Sequence, residues 1–106
     1  MELLTRSEEL LLLTVWRLQG DAYGASIMEM LTKNTGREWA IGSVYGPLER
    51  LAKKGLLTSF IGAPTRERGG RSKRCYKLTR DGVNALSHTR QVIDTFWLDL
   101  PDLMIG

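Results

Sequence analysis

Two short runs of β-favouring residues with a basic loop between them restrict the fold of this chain more than any other feature. Residues 56–61 and 73–78 are rich in apolar and β-favouring side chains, which predicts the two strands of a hairpin. The eleven residues between the runs are too many for a tight turn. Because loops of that length in a compact domain are usually functional or disordered, we expect this loop to have a function of its own.

The loop also concentrates the positive charge of the chain. Residues 64–74, called the wing below, hold five cations against one carboxylate, a net charge of +4, whereas the whole chain carries +3. A cluster of one sign on a loop that contains Gly69 and Gly70 is typical of a phosphate-binding surface, although a merely solvated loop is the alternative. The five cations are Arg66, Arg68, Arg71, Lys73 and Arg74.

Helical patterns occupy the chain before the hairpin. Thr5 and Glu8 form a capping-box pattern that predicts the start of a first helix, which ends near Gly20. Residues 10–18 are so densely apolar, Trp16 included, that we expect this helix to be covered on most sides. A second helix follows from the apolar spacing of residues 27–31.

A third helix is predicted directly before the hairpin. Residues 39–41 suggest a short strand, and Ser43 is a good N-cap for the helix that follows. Gly46 and Pro47 predict an irregular start, since proline removes a backbone donor. The apolar stripe that this helix turns inward is Val44, Leu48 and Leu51.

A fourth helix begins at a Thr79 cap and stops before Pro101. Its apolar positions recur in steps of three and four, and only Arg90 interrupts the seam. Since little chain remains to cover the end of this helix, we predict a dimer interface there. Its residues are Ile93, Phe96, Trp97 and Leu100.

Composition and motifs exclude several classes of protein. A chain of 106 residues forms one compact unit, with residues 1–80 as the main domain and 81–106 as a C-terminal dimerisation helix and tail. The apolar run at 10–15 is too short for a bilayer, and a single cysteine, Cys75, fits a reducing compartment, so we expect a cytoplasmic protein. His88 has no partner at metal spacing and no catalytic motif is present, so we predict no metal, no cofactor and no enzyme.

The predicted fold is mainly α-helical with a small β-hairpin, in the order helix, helix, short strand, helix, strand, basic loop, strand, helix. That is the order of a winged helix-turn-helix, a fold whose third helix enters the major groove of DNA. The wing would then supply contacts to phosphates or to the minor groove.

Three stretches resemble the PadR-like family of transcriptional regulators, from about Leu10 to about Leu86. They are DAYGASIMEML, GSVYGPLERLAKKGLL and GGRSKRCYKLTRDGVNAL, in the family's order and spacing. The resemblance implies a regulator, commonly a repressor, that dimerises through its C-terminal helix and binds a pseudo-palindromic operator. It also implies that Ser43 and Tyr45 touch the DNA backbone.

Outside the wing, the residues predicted to bind DNA lie on the second and third helices. Arg50 is the best candidate for a base edge, whereas Lys53 and Lys54 have an alternative role against the helix dipole. The full set is Tyr23, Ser43, Val44, Tyr45, Arg50, Lys53 and Lys54. Two alternatives remain open: a winged-helix module that binds a protein and not DNA, and a repressor that responds to a planar hydrophobic effector held by Trp97 and Phe96.

Overall fold

Residues 2–63 and 72–100 are described by the computed structural model of the chain. The fold is mainly helical with a two-stranded hairpin, as predicted. Arg66, Arg68 and Arg71 of the wing lie outside the described residues, so their contacts with DNA stay a prediction. The elements, in chain order, are α1 (Arg6–Leu18), α2 (Gly24–Thr35), α3 (Gly42–Lys53), β1 (Leu57–Ile61), β2 (Arg74–Leu78) and α4 (Arg80–Trp97).

Helix α1 begins at the capping box that the sequence predicts. The backbone N–H of Glu8 donates to Thr5 Oγ1 at 3.1 Å, and the backbone N–H of Thr5 donates to Glu8 Oε1 at 2.8 Å. At the other end, Gln19 and Gly20 both have positive φ, which turns the chain out of the helix. The helix is therefore defined at both ends by residues close to one another in sequence.

The core lies where α1, α2 and α3 meet against the hairpin. Each fully buried aliphatic side chain in it contributes about 1.5–3 kcal/mol relative to the exposed state. The members of this core are Leu11, Leu12, Val15, Ala22, Ile27, Leu31, Trp39, Val44, Leu48, Leu51, Leu57 and Tyr76.

A second face of α1 stays outside the core. Leu13 is exposed and Trp16 is 52% exposed, so the prediction of a helix covered on most sides, with Trp16 in the core, is wrong. Successive residues of a helix point about 100° apart, so a continuous apolar run necessarily sends some side chains away from any single core. The apolar residues of α1 that do not reach the core, Leu13 and Trp16, are exposed on the surface of the protein.

The hairpin is antiparallel, with Leu57 opposite Leu78 and Ile61 opposite Arg74. Beyond the last paired residues, the backbone N–H of Gly62 donates to the carbonyl oxygen of Lys73 at 2.7 Å. The two ends of the chain that enter the wing are therefore held together by a hydrogen bond.

The predicted short strand at 39–41 is not formed. The edge of β2 that faces away from β1 is bonded to the turn between α1 and α2. The N–H of Tyr76 donates to the carbonyl of Ala22 at 2.8 Å, and Tyr23 forms an isolated bridge with Cys75. The outer edge of β2 is therefore not available to residues 39–41.

Helix α3 begins earlier than predicted and is continuous. Ile41 is its N-cap residue and has helical backbone angles, so Ser43 is the second residue of the helix and not its cap. The helix continues through Pro47, and in its first turn the N–H groups of Val44 and Tyr45 both donate to the carbonyl of Ile41. Because Pro47 has no N–H, its bond to the carbonyl of Ser43 cannot form, so the helix is continuous but lacks one bond near its start.

Helix α4 is capped by Thr79, whose Oγ1 accepts a hydrogen bond from the N–H of Gly82 at 3.0 Å. The helix ends at Trp97, so Leu100, the last residue of the predicted apolar seam, lies beyond the helix. A residue before proline is kept out of the helical region, which explains why the helix cannot extend to Leu100. Asp99, with φ of 59°, turns the chain first.

Candidate nucleic-acid interface

Helix α3 presents a polar face to solvent because its apolar stripe points into the core. Val44 belongs to that stripe and is fully buried, so its predicted contact with DNA is corrected: it packs and does not reach outward. Lys53 is exposed, as a contact with DNA requires, and that contact stays a prediction. The exposed side chains of the polar face are Ser43, Glu49, Arg50 and Lys53.

Arg50 lies along this face towards Gly46. Its Nη1 is 3.4 Å from the point where a Cβ of Gly46 would stand. A side chain at position 46 would make an ordinary contact with this guanidinium, which lies one turn further along the helix. A donor fork suited to a base edge or a phosphate therefore extends towards the start of α3.

Tyr45 lies beside that face, against the start of α2. A Cβ added to Gly24 would overlap the hydroxyl and ring of Tyr45 and come within 2.6 Å of its Cε1. Gly24 is buried, whereas Tyr45 is 45% exposed, so one part of the ring packs and the other faces solvent. Sequence reasoning missed Gly24, whose signal was the tyrosine-glycine pair that opens α2.

Lys54 is engaged within the protein. Its Nζ lies 3.2 Å from Glu8 Oε2, so the C-terminal end of α3 is tied to the first turn of α1. Burial raises the pKa of the Glu8 carboxyl, but the hydrogen bond from the Thr5 N–H and the ammonium of Lys54 outweigh burial and lower that pKa below its usual 4.5. This intramolecular contact gives Lys54 a structural role in addition to its predicted DNA contact.

Lys73, at the base of the wing, is buried rather than displayed. The residue is only 8% exposed, its Nζ lies 2.8 Å from Asp21 Oδ1, and the same atom stands 4.3 Å from the centre of the Tyr23 ring. The hydrogen bond to Asp21 raises the pKa of Lys73, so the ammonium stays charged. The predicted phosphate contact of Lys73 is therefore corrected, whereas Arg74 next to it is exposed.

The end of α4 exposes large apolar side chains. Phe96 is 79% exposed and Trp97 is 59% exposed, while Ile93 is half-buried. Arg90, which interrupts the predicted seam, forms an i,i+4 ion pair of 3.4 Å with Asp94. Isolated apolar residues on a surface are ordinary, but adjacent exposed aromatics are typical of an interaction site.

A groove of about 530 Å³ runs between α1, the hairpin and α4. Trp16 and Phe60, both substantially exposed, are two of its walls, and Phe96 and Trp97 do not line it. Its full lining is Trp16, Gln19, Gly20, Phe60, Tyr76, Lys77, Leu78 and Val83.

Within residues 2–63 and 72–100, none of the helices has the length and apolar character needed to span a bilayer. In the same residues, no three His, Cys, Asp or Glu side chains lie close enough together to hold a metal ion.

Solved structures with the same fold are similar to this chain. A PadR family transcription regulator from Clostridium difficile R20291 is 20% identical, with a TM-score of 0.69, over 96% of this chain and 100% of that one. The protein smu.1704 from Streptococcus mutans UA159 is 19% identical, with a TM-score of 0.69, over 100% and 95% of the two chains. RosR from H. salinarum is 24% identical, with a TM-score of 0.65, over 93% and 82%. At these identities the likeness shows the fold.

The sequence comparison shows the family. No curated protein matches the chain. The sequence model described as the transcriptional regulator PadR-like family matches residues 12–88, most of the chain and all of the helices and strands from within α1 to the middle of α4. The chain therefore belongs to the PadR-like family of transcriptional regulators, which are DNA-binding winged-helix proteins and not enzymes.

Proposed function

We propose that this protein is a homodimeric repressor that binds a pseudo-palindromic operator, with the two α3 helices in successive major grooves. The observation that carries the proposal is the polar face of α3, where Ser43, Arg50 and Lys53 are exposed together, with Tyr45 beside them. Half-sites of such an operator lie about 34 Å apart, one turn of the duplex. A regulator of this kind works on the chromosome, which agrees with the expected cytoplasmic location.

The proposal divides affinity from specificity. The wing holds mainly arginines that suit phosphate contacts, which act on every sequence alike, whereas the exposed Arg50 is the residue that we propose for a base edge. If about six cationic contacts form across the dimer, log K falls with log salt at a slope of about −5. Replacement of Arg68 and Arg71 by alanine reduces the affinity for all duplexes, whereas Arg50→Ala changes the sequence preference.

Fluorescence anisotropy with a random-sequence duplex and with a duplex selected from a random pool tests this division. Arg17→Ala serves as the control, because Arg17 is exposed on α1 and carries the same charge. Binding that does not respond to salt contradicts the proposal, as does an equal loss of preference from the wing and the α3 variants. Absence of binding to any duplex at low salt would favour the protein-interaction module.

The dimer is proposed to form through the end of α4, with a second copy of this chain as the partner. Phe96 and Trp97 are exposed at that end, and Leu13 of α1 and Val83 of α4 line a further groove between the two helices. Trp16 extends this exposed apolar surface. A contiguous exposed apolar surface is typical of a protein–protein interface. Sedimentation of the wild type and of Trp97→Asp tests the interface, since a buried charge at a dimer seam opposes association.

A matched variant separates the interface from a general loss of solubility. Glu29→Gln on α2 changes an exposed charge far from α4 in sequence and leaves the sedimentation of the protein unaltered. A wild type that sediments as a monomer at the concentrations where it binds DNA contradicts the dimer.

A planar hydrophobic effector is the second part of the regulation that we propose, with Phe96 and Trp97 as its contacts. The pairing of two flat rings at the proposed dimer interface supports it, because a planar ligand held between the two copies would stack on them. Titration of the protein with planar hydrophobic compounds should quench tryptophan fluorescence, and Trp97→Phe should abolish the quenching while Trp16→Phe retains it. Equal quenching in both variants would exclude this site.

A further inference from the structure

The base of the wing carries a buried lysine that the proposed DNA contacts do not use. A lysine side chain is seldom buried, because its ammonium loses water unless a partner replaces it. Lys73 has two partners, the carboxylate of Asp21 at 2.8 Å and the ring of Tyr23 at 4.3 Å. Both belong to the turn that leads into α2, so the lysine joins the base of the wing to the helix-turn-helix.

The main chain around Lys73 makes the same connection. The N–H of Tyr76 donates to the carbonyl of Ala22, and Cys75 is bridged to Tyr23, so β2 is bonded to the α1–α2 turn along its second edge. On the other side, the N–H of Gly62 donates to the carbonyl of Lys73. Lys73 is thus both a member of the pair that closes the hairpin and the residue whose side chain reaches furthest back to the turn.

Gly62 completes the arrangement. A Cβ at Gly62 would stand 3.3 Å from both Cγ and Cε of Lys73 and 2.6 Å from the Sγ of Cys75. The glycine therefore leaves the space through which the aliphatic stem of the lysine passes under the hairpin. The path of the side chain is determined by packing as well as by charge.

We propose that Lys73 is a positioning residue: its ion pair with Asp21 and its contact with Tyr23 fix the open end of the hairpin, at Gly62 and Lys73, against the turn that leads into α2. The inference rests on the proposed binding of DNA by α3 and the wing. Because the cation is neutralised by Asp21, it adds little to the field that attracts DNA. Its effect on affinity comes from placing the other wing cations where they meet phosphates.

The variant Asp21→Asn separates positioning from direct contact by the sign of its effect. If Lys73 touched phosphate itself, removal of the nearby carboxylate would strengthen DNA binding, since a negative charge is lost and the lysine is released. If Lys73 positions the wing, the same change weakens binding, although no cation is removed. Asp21 is 62% exposed, but its replacement leaves the buried Lys73 ammonium without its carboxylate, so binding by Asp21→Asn is measured at a temperature where thermal unfolding shows the variant to be folded.

The salt dependence gives a second readout. Each lost phosphate contact reduces the slope of log K against log salt by about 0.9. We expect Asp21→Asn and Lys73→Met each to reduce the slope by more than about 0.9 per protomer, which is the largest reduction that the loss of one cation's phosphate contact can cause. Lys73→Arg keeps the charge and the reach to Asp21, so it should restore the wild-type slope.

Two controls match these changes in charge. Lys77→Met removes a cation from the same strand at an exposed position, and Glu29→Gln neutralises an exposed carboxylate that lines the same surface groove as Asp21. Lys77→Met should lower the slope by about 0.9 or less per protomer, and Glu29→Gln should leave binding unchanged or slightly stronger. Thermal unfolding of every variant identifies losses caused by unfolding.

The outcomes are distinct. Tighter binding by Asp21→Asn, or equal slopes for Lys73→Met and Lys77→Met, overturns the positioning role while DNA binding by the wild type stands. A wild type that binds no duplex overturns the proposed function itself. If Lys73→Met does not fold, the sign of the Asp21→Asn effect still decides.

Discussion

The contact between α2 and α3 at Gly24 leads to a prediction whose size follows from the structure. In a helix, alanine is ordinarily more favourable than glycine by up to about 1 kcal/mol. At Gly24 the added methyl group would occupy the place of the Tyr45 ring, so the tyrosine must leave its position. We therefore expect Gly24→Ala to destabilise the protein.

The cost is estimated from the part of Tyr45 that is now covered. A tyrosine buries about 150–250 Å² when fully enclosed. Because Tyr45 is 45% exposed, roughly 100 Å² of its surface is covered, and this is worth about 2.5 kcal/mol at about 25 cal/mol per Å². After the gain in helix propensity, Gly24→Ala should lower the free energy of unfolding by about 1.5–2 kcal/mol.

A double-mutant cycle in urea measures this effect. In a Tyr45→Ala background the methyl group meets no ring, so Gly24→Ala should be neutral or stabilising, and the coupling free energy should be about 2–2.5 kcal/mol. Gly42→Ala is the matched control: Gly42 is also the first residue of its helix, and nothing lies within 4 Å of its added Cβ. All variants are compared at one protomer concentration, because the stability of the proposed dimer would depend on it.

A coupling free energy near zero would refute this reasoning, because it would show that Tyr45 does not restrict position 24. The same conclusion would follow if Gly24→Ala and Gly42→Ala had equal effects.

Three further predictions concern the scaffold. The folded-state pKa of Glu8 is lowered, so its carboxylate stabilises the fold above pH 4.5 and this contribution is lost as the pH falls through the lowered pKa. Glu8→Gln, which also loses the ion pair with Lys54, should therefore show a shallower loss of stability with acid in urea titrations; an unchanged pH dependence would contradict it. Gly82→Ala should destabilise by about 1–3 kcal/mol, since its Cβ would overlap the backbone oxygen of Leu56, and a rise in Tm would refute this. Trp39→Phe loses the 3.0 Å bond from its indole N–H to α2, and should cost about 1 kcal/mol in chemical unfolding; no cost would show that the bond is dispensable.

Features that depend on neighbours in sequence could be predicted from the sequence. The capping box of Thr5 and Glu8, the Thr79 cap and the inward stripe of α3 are formed by residues a few positions apart, and the hairpin pairs two runs that are each recognised by their own composition. The exposure of Arg50 and Lys53 follows from that stripe, because the helix period places them away from it. The same locality explains why the family's motifs can be recognised in this chain.

Tertiary structure decided the features that depend on partners distant in sequence. Lys73 meets Asp21 across 52 positions, which turns a predicted phosphate contact into a buried ion pair. Residues 39–41 form no strand, because the edge of β2 is taken by residues 22 and 23. Trp16 is exposed, because the apolar run that contains it encircles the helix while the core covers only one side.

The sequence by itself determined the order of the elements and concentrated positive charge at the wing, since composition and short-range periodicity are properties of the chain. Only the folded structure decided which cations face outward. That choice depends on partners distant in sequence: Lys73 is buried against Asp21 and Tyr23, whereas Lys54 pairs with Glu8 and remains exposed. A cation with a partner inside the fold stabilises the scaffold, and the exposed Arg50 and Lys53 are among the cations that we propose to contact DNA.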